Sequence, residues 1–412
     1  MVKTGYKQTE MGTIPADWET QQLGELAKVR MCKRIFADQT AESGDIPFYK
    51  IGTFGGKPDA YISRPLYLAY KEKYSYPSAG DILISAAGTL GRTVEFDGKD
   101  AYYQDSNIVW LDIDKRKLCN EYLKHYYSVI KWASSEGSTI SRLYNAIIES
   151  TYIAHPDLPE QERIAEALSD MDELISSLEK LIAKKKAIKQ GAMEQLLTGK
   201  TRLPGFSGEW ERRKLSTYCS LITKQTGFDY SAYIKPALIT ESLPGTLPMI
   251  QTINFRGKHF SFDTDYYIPQ NVAKHFPNII LNSKCVLFSI VGASVGNIGL
   301  YPGGVSFCGG AIGITRFIDE ADADWVFYYM NSANGQAQIN HVTKGGAQAT
   351  VTIADIRNFV IDTPCKEERD AIVSALSDMD NEIGALEEKL TKTQQIKQGM
   401  MQQLLTGKIR LV

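Results

Sequence analysis

The chain has 412 residues, 43% apolar and 23% charged, with a formal net charge of −2; these values suit a soluble globular protein of two or three domains. The near-neutral balance excludes a globally basic nucleic-acid binder, so attraction to phosphate has to come from local clusters. No run of about 18 apolar residues occurs, which excludes a helical membrane span, and the six cysteines form no Cys-x-x-Cys and have no histidine at ligand spacing, which argues against a zinc site or a disulfide framework.

In chain order, residues 1–17 form an arm whose opening, Met1 to Gln8, lacks the apolar core of a signal peptide. Reduced thiols and a cytoplasmic location are expected. Residues 18–157 are rich in Tyr, Phe, Gly and β-branched residues, as β-rich domains are. Ile82-Leu83-Ile84-Ser85 reads as a strand, followed by a glycine turn from Gly88 to Gly91. A long helix is expected over 158–198. Pro159 stands in its first turn, and Gly199 stands where helices commonly end. A linker, 199–209, leads to a second β-rich domain, 210–365. There Val286-Leu287-Phe288-Ser289 and the turn Gly292 to Gly296 match the first domain. A second helix is expected over 366–406, with a tail at 407–412. Both domains open on a Trp followed by a Leu, Trp18/Leu23 and Trp210/Leu215. Both close on a proline, Pro156 and Pro364.

The helices are near copies. Residues 167–203 and 375–411 share 23 of 37 positions at an offset of 208 without a gap. Both carry an apolar ladder stepping by 4 and 3: Ile164, Leu168, Met171, Ile175, Leu178 and Ile182, then Ile372, Leu376, Met379, Ile383, Leu386 and Leu390. That spacing is a coiled-coil seam. A rod of this length, about 58 Å at 1.5 Å per residue, cannot bury its seam alone, so each helix is the other's natural partner. The globular parts share only landmarks, which suggests a common task for the helices and separate tasks for the domains.

No catalytic set emerges. Gly199-Lys200-Thr201 lacks the first glycine of a phosphate-binding loop and ends a helix instead of opening one. The Asn/Asp-Pro-Pro-aromatic loop of amino-methyltransferases is absent. Asp97-Gly98-Lys99 fits a hairpin turn better than a nuclease site. Ser85 and Ser289 stand in no Gly-x-Ser-x-Gly frame.

Together these features resemble the DNA specificity subunit of type I restriction–modification enzymes, over essentially the whole chain. The specific elements are Leu158-Pro159-Glu160-Gln161-Glu162-Arg163-Ile164-Ala165, the repeated Leu-Leu-Thr-Gly-Lys-x-Arg-Leu endings, the entry Gly12 to Trp18, and the Gly80 to Ser85 strand. The second helix departs from the pattern, opening on Cys365-Lys366-Glu367-Glu368-Arg369-Asp370. The resemblance implies an α+β fold with two tandem target recognition domains. Their helices would pack as an antiparallel coiled coil with pseudo-twofold symmetry, and the 1–17 arm would close the repeat into a pseudo-circle. Each domain would read one half of a split site on double-stranded DNA, with the helices as a ruler. Partners implied are two methyltransferase subunits and, through them, restriction/translocase subunits. Methyl donor, ATP and Mg would serve only those partners, leaving this chain without a cofactor. Two other readings stand beside this one: a coiled-coil adaptor that binds only protein, and the specificity subunit of a related methyltransferase–nuclease system.

The resemblance implies no fixed base-reading residues, since in that family those positions vary with the target, so DNA contacts are nominated by chemistry alone. Gln and Asn suit adenine, Arg suits guanine, and Lys holds phosphate. In the first domain the loop Tyr49 to Lys57 offers Lys50, Thr53, Lys57 and an aromatic. Its counterpart offers Gln251, Asn254, Arg256 and Lys258. A second set follows the glycine turns: Thr89, Arg92 and Asn297. A third precedes the helices: Ser138, Ser141, Arg142 and Tyr144 against Lys344, Gln348 and Thr350. Lys184-Lys185-Lys186 reads as a solvated helix face before it reads as a phosphate contact.

Overall fold

A computed structural model describes residues 4–130, 132, 142–343 and 349–412. The chain divides into two compact units: residues 1–179 with 388–412, and residues 180–387.

The first unit opens on a hairpin of β1 (Tyr6–Thr9) and β2 (Gly12–Pro15), followed by β3 (Glu19–Gln22), α1 (Leu23–Leu26) and β4 (Ala27–Met31). Next come β5 (Ile46–Tyr49), β6 (Tyr61–Ile62), α2 (Arg64–Lys73), β7 (Ile82–Ser85), β8 (Thr93–Glu95), β9 (Tyr102–Tyr103) and β10 (Ile108–Ile113). Helices α3 (Asn120–Tyr127) and α4 (Asn145–Ser150) and strand β11 (Tyr152–His155) lead into α5 (Leu158–Leu196). The central sheet has the order β4-β10-β7-β8, all antiparallel, and a smaller sheet runs β6-β5-β9. Every residue of β7 is buried. Successive strand side chains face opposite ways, so Ile82 and Ile84 join one core with Tyr122, Leu123 and Ile164, while Leu83 joins another with Phe48, Phe54 and Tyr102. A run as apolar as Ile-Leu-Ile is what a sheet covered on both faces requires.

The second unit repeats the plan. It contains β12 (Glu211–Lys214), β13 (Cys219–Lys224), α6 (Gly227–Asp229), β14 (Thr246–Ile250), β15 (Phe255–Arg256), β16 (His259–Phe260) and β17 (Tyr267–Pro269). Then follow α7 (Gln270–Ala273), β18 (Ile280–Leu281), β19 (Cys285–Ser289), β20 (Ile298–Tyr301), β21 (Ser306–Cys308) and β22 (Ile312–Phe317). Helices α8 (Asp322–Asn331), α9 (Ala333–Val342) and α10 (Ile353–Asn358), strand β23 (Val360–Thr363) and helix α11 (Lys366–Leu404) complete the order. The sheet β13-β22-β19-β20 matches β4-β10-β7-β8 strand for strand. Ser289 faces Ile312 as Ser85 faces Ile108.

Both long helices have 39 residues. Each ends on a glycine in the left-handed region, Gly199 and Gly407, both at φ +68°. There Thr201 N donates to Gln195 O at 3.2 Å and Ile409 N to Gln403 O at 3.2 Å, each bond reaching back past the glycine to satisfy one of the last carbonyls of the helix. Within the first unit Glu160 meets Arg410 and Asp172 meets Lys397. Within the second, Glu368 meets Arg202 and Asp380 meets Lys189. In each unit the partner number falls as the helix number rises, so the helix segments run antiparallel. The seam is partly a domain core. Ile164 and Leu168 pack with Leu404 and Leu405 among the first unit's core residues, and Ile372 and Leu376 pack with Met193, Leu196 and Leu197 in the second. Farther along, Leu178, Ile182 and Ile383 are buried; Met171, Ile175, Met379, Leu386 and Leu390 are half-buried.

The helix openings act as brackets. Glu160 is 1% exposed and accepts from Arg410 Nε and Nη2 at 2.7 Å each, and from Trp18 Nε1 at 3.2 Å. Gln161, also buried, donates to Lys117 O and Pro156 O and accepts from Cys119 N. At the second helix the same places hold Glu368, paired with Arg202, and Arg369, paired with Asp322. The departure in sequence is thus an exchange of an amide bracket for an ionic one. The hairpin arm is tied down in its own unit: Tyr6 Oη donates to Gly407 O at 3.2 Å, and Arg410 grips Asp17 at 2.8–2.9 Å.

Candidate nucleic-acid interface

In the first unit three loops gather at the end of the central sheet where β7 gives way to its glycine turn. After β5 the chain makes a tight turn in which Thr53 Oγ1 accepts from Lys50 N at 3.1 Å, and Phe54 is buried. Lys50 Nζ lies 2.9 Å from Asp59, and Lys57 is exposed. After β7, Gly88 and Gly91 take φ +69° and +75°. Ser85 Oγ there donates to Thr89 O and accepts from Arg92 N, leaving both side chains exposed. Arg92 lies in the space that Gly55 leaves open: a Cβ at Gly55 would stand 2.9 Å from its Nη2. The third loop bridges Ala87 to Arg142. Arg142 Nη2 donates to Ser106 O at 3.1 Å, and its guanidinium lies 5.8 Å from the exposed Tyr144 ring. Ser106 holds φ +50°, a conformation that costs a non-glycine residue about 1–3 kcal/mol and clusters at functional sites.

Two clefts open on this face. One, about 400 Å³, is lined by Arg34, Lys50, Gln104, Ser106, Asn107 and Arg142. The other, about 340 Å³, is lined by Lys33, Arg34, Tyr74, Ser75 and Asp105. Arg34 Nε donates to Asp105 Oδ2 at 2.9 Å, and Lys33 lies 5.3 Å from the Tyr74 ring. The structure thus brings together Lys50 and Arg142 from the sequence-based set. It adds Lys33, Arg34, Gln104 and Asn107, which that set omitted. The available signal was Lys33-Arg34-Ile35-Phe36, a basic pair beside an aromatic directly after a strand.

The second unit spends several nominated residues internally. Asn254 is 3% exposed. Its Oδ1 accepts from Gln251 N at 2.8 Å and its Nδ2 donates to Asp263 O at 2.5 Å, so neither amide edge faces outward. Lys258 Nζ donates to Ser377 Oγ on α11 at 2.6 Å, and burial pushes its pKa down. Thr53, in the first unit, is likewise taken up by its own turn. Arg256 pairs through its backbone with His259. Asn297 is exposed, with its carbonyl accepting from Ser289 N. A cleft of about 440 Å³ is lined by Gln251, Ile253, Ser261, Asp263, Thr264 and Asp265 among others, and no cation is among the described side chains that line it. Gln225, following β13, is buried with both amide atoms unpartnered. Ser138, Ser141, Lys344 and Gln348 lie outside the described residues. Among the described residues, no group of three or more His, Cys, Asp or Glu could hold a metal ion, and no helix is long and apolar enough to cross a membrane.

The family model for the type I restriction modification DNA specificity domain matches twice, over residues 15–190 and 233–398. The chain belongs to this family. Among specificity-family relatives, a Haemophilus influenzae type I restriction enzyme specificity subunit is 58% identical over 157 residues, 38% of this chain and 41% of that protein. The Methanocaldococcus jannaschii type I restriction enzyme MjaVIII specificity subunit is 24% identical over 97% of this chain and 94% of its own length. A solved type I restriction–modification S subunit from M. genitalium superposes with a TM-score of 0.61 at 13% identity, covering 94% of this chain and 96% of that one. A chain from a structure of type I restriction–modification complex assembly and conformational transition gives 0.55 at 16% identity, over 96% and 99%. The specificity fold accounts for the two matched sheets and for the long helix that follows each domain.

Proposed function

We propose that this chain is a DNA recognition subunit that reads a split double-stranded site, one half with each unit, and directs methyltransferase and restriction subunits to it. The observation that carries the reading is one sheet plan built twice with unlike loops. Around β7 the loops carry exposed cations and cation-lined clefts; around β19 the matching loops carry amides, glycines, an acidic cleft, Arg256 and a Lys258 that is tied to α11. Two readers of one design but different surface chemistry suit two unlike half-sites. The helix brackets repeat because both helices have the same job, holding their unit together and meeting partners. Methyl transfer and ATP-driven work belong to partner subunits, together with the methyl donor, ATP and Mg they use; this chain supplies the choice of sequence.

The test is co-expression with a cognate methyltransferase subunit, followed by mapping of methylated positions. A bipartite motif is expected, and exchange of residues 210–365 for a relative's domain should alter one half of it. A chain acting only as a protein adaptor would give a complex without any sequence-dependent DNA affinity and with weak salt dependence.

A further inference from the structure

We infer that Arg34 is a base-reading residue of the first unit and that it recognises the major-groove edge of a guanine in one half-site. The inference rests on the split-site reading above and adds a residue and a base to it.

Arg34 follows the last residue of β4 by three positions and lines both clefts of the first unit. Arg34 and Asp105 are the two residues common to both linings. Its Nε is held by Asp105, which is only 18% exposed, while the arginine side chain remains 60% exposed. A guanidinium fixed through Nε keeps its two Nη groups free and aimed along one direction. That pair of parallel donors matches the O6 and N7 acceptors of guanine, the commonest specific contact in major-groove readout. A supporting carboxylate also removes part of the ordering cost that a long free side chain would meet on binding.

The flanks suit such a reader. Lys33 and Tyr74 stand on one side, Lys50 and Arg142 on the other. Cations flanking a central reader are placed for the phosphates on either side of a groove. Arg142 is itself tied to Ser106 O, so its role is to hold the loop and a phosphate. The matching segments of the second unit lack this device. After β13 the chain runs Gln225-Thr226-Gly227-Phe228, and the segment before β22 is Gly309-Gly310-Ala311. Neither an arginine nor its carboxylate brace is present there, so the signature belongs to one half-site alone.

The test uses the full chain in complex with its methyltransferase partner, with methylated motifs mapped for wild type, Arg34→Ala and Arg34→Lys. The expected result is that one G·C pair in one half-site becomes degenerate, discrimination there falling about 10- to 100-fold, while the other half is unchanged. Arg34→Lys keeps the charge and the Asp105 pair but loses the forked donors, so it should not restore guanine. Asp105→Asn should relax the same position to a smaller degree. Both Arg34 variants keeping the full motif while methylation weakens uniformly at every site would make Arg34 a phosphate contact and overturn the inference. Relaxation at an A·T pair, or no change at all, would overturn it too. Should Arg34→Ala not accumulate as folded protein, Arg34→Lys decides alone. A wild-type complex with no split motif sinks the parent reading instead.

Discussion

The two units solve the same burial problem with different margins. Each drives a glutamate from the start of a long helix into its core and neutralises it with an arginine from beyond the other helix's end. In the first unit Glu160 collects bonds from Arg410, from Trp18 Nε1 and from Leu411 N. In the second, among the described residues, Glu368 has Arg202 alone, at 2.5–2.6 Å, while the indole N–H of Trp210 is buried without a partner. A buried charge is tolerable only while paired. The comparison therefore teaches that the second unit depends more heavily on one residue.

The sharpest way to break this symmetry is Arg202→Ala. It strands Glu368 without a remaining donor and should cost the second unit about 3–5 kcal/mol, read as a lowered unfolding midpoint. Arg410→Ala should cost less, because Trp18 and Leu411 still serve Glu160. Equal losses would show that the extra donors are idle. The helix-end glycines give the next test. Gly199→Ala forces a left-handed alanine, about 1–2 kcal/mol. Gly407→Ala meets the same penalty plus Pro15, whose ring atoms would stand 2.4–2.5 Å from the new Cβ, adding about 1–3 kcal/mol of overpacking. Gly407→Ala should therefore melt first.

A third contrast is read with pH. The paired Asp172–Lys397 and Asp380–Lys189 sites face different residues: His125 beside Asp172 and Tyr328 on Asp380. Burial, with Lys397 nearby, brings the folded His125 pKa down to about 4, and Asp172 only partly opposes it. The unfolded histidine titrates near 6.5. Between about 6.5 and about 4 the unfolded state binds more protons, so stability rises with pH there. The contribution is complete above about 6.5 and is lost as pH falls toward 4. Thermal melts of the wild type and His125→Phe across this window should converge at low pH; parallel curves would reject the assignment. On the recognised motif the smallest expected effect is that of Asn254→Ala, which should leave the motif intact while costing about 1–3 kcal/mol of stability by leaving the Gln251 N–H without its acceptor. A changed motif would return Asn254 to the DNA surface.

Much of the architecture is legible in the residues. The offset repeat, the glycine stops and the Ile-Leu-Ile and Val-Leu-Phe strands are local signals, and local signals survive without a structure. The site was less legible. Asn254 and Lys258 look like DNA-facing polar residues in a loop until their partners appear, Asp263 nine positions away and Ser377 on a helix 119 positions away. Arg34 looks ordinary until Asp105, 71 positions on, fixes it. Polar side chains take their role from what they meet, and spacing along the chain does not record that. The apolar ladder hid a smaller surprise: Ile164, Leu168, Ile372 and Leu376 obey coiled-coil periodicity while packing into domain cores.

The first unit is assembled from residues 1–179 and 388–412, whereas the second is the unbroken stretch between. Synthesis from the N-terminus therefore delivers the whole second unit before the first can close. Until Arg410 emerges from the ribosome, Glu160 has no cation and the β1–β2 hairpin has no Gly407 carbonyl to grip. A chain cut before Gly407 would have a sound later-made unit and an open earlier-made one. The order of translation thus makes the finished first unit a certificate that the last turn of α11 has been made.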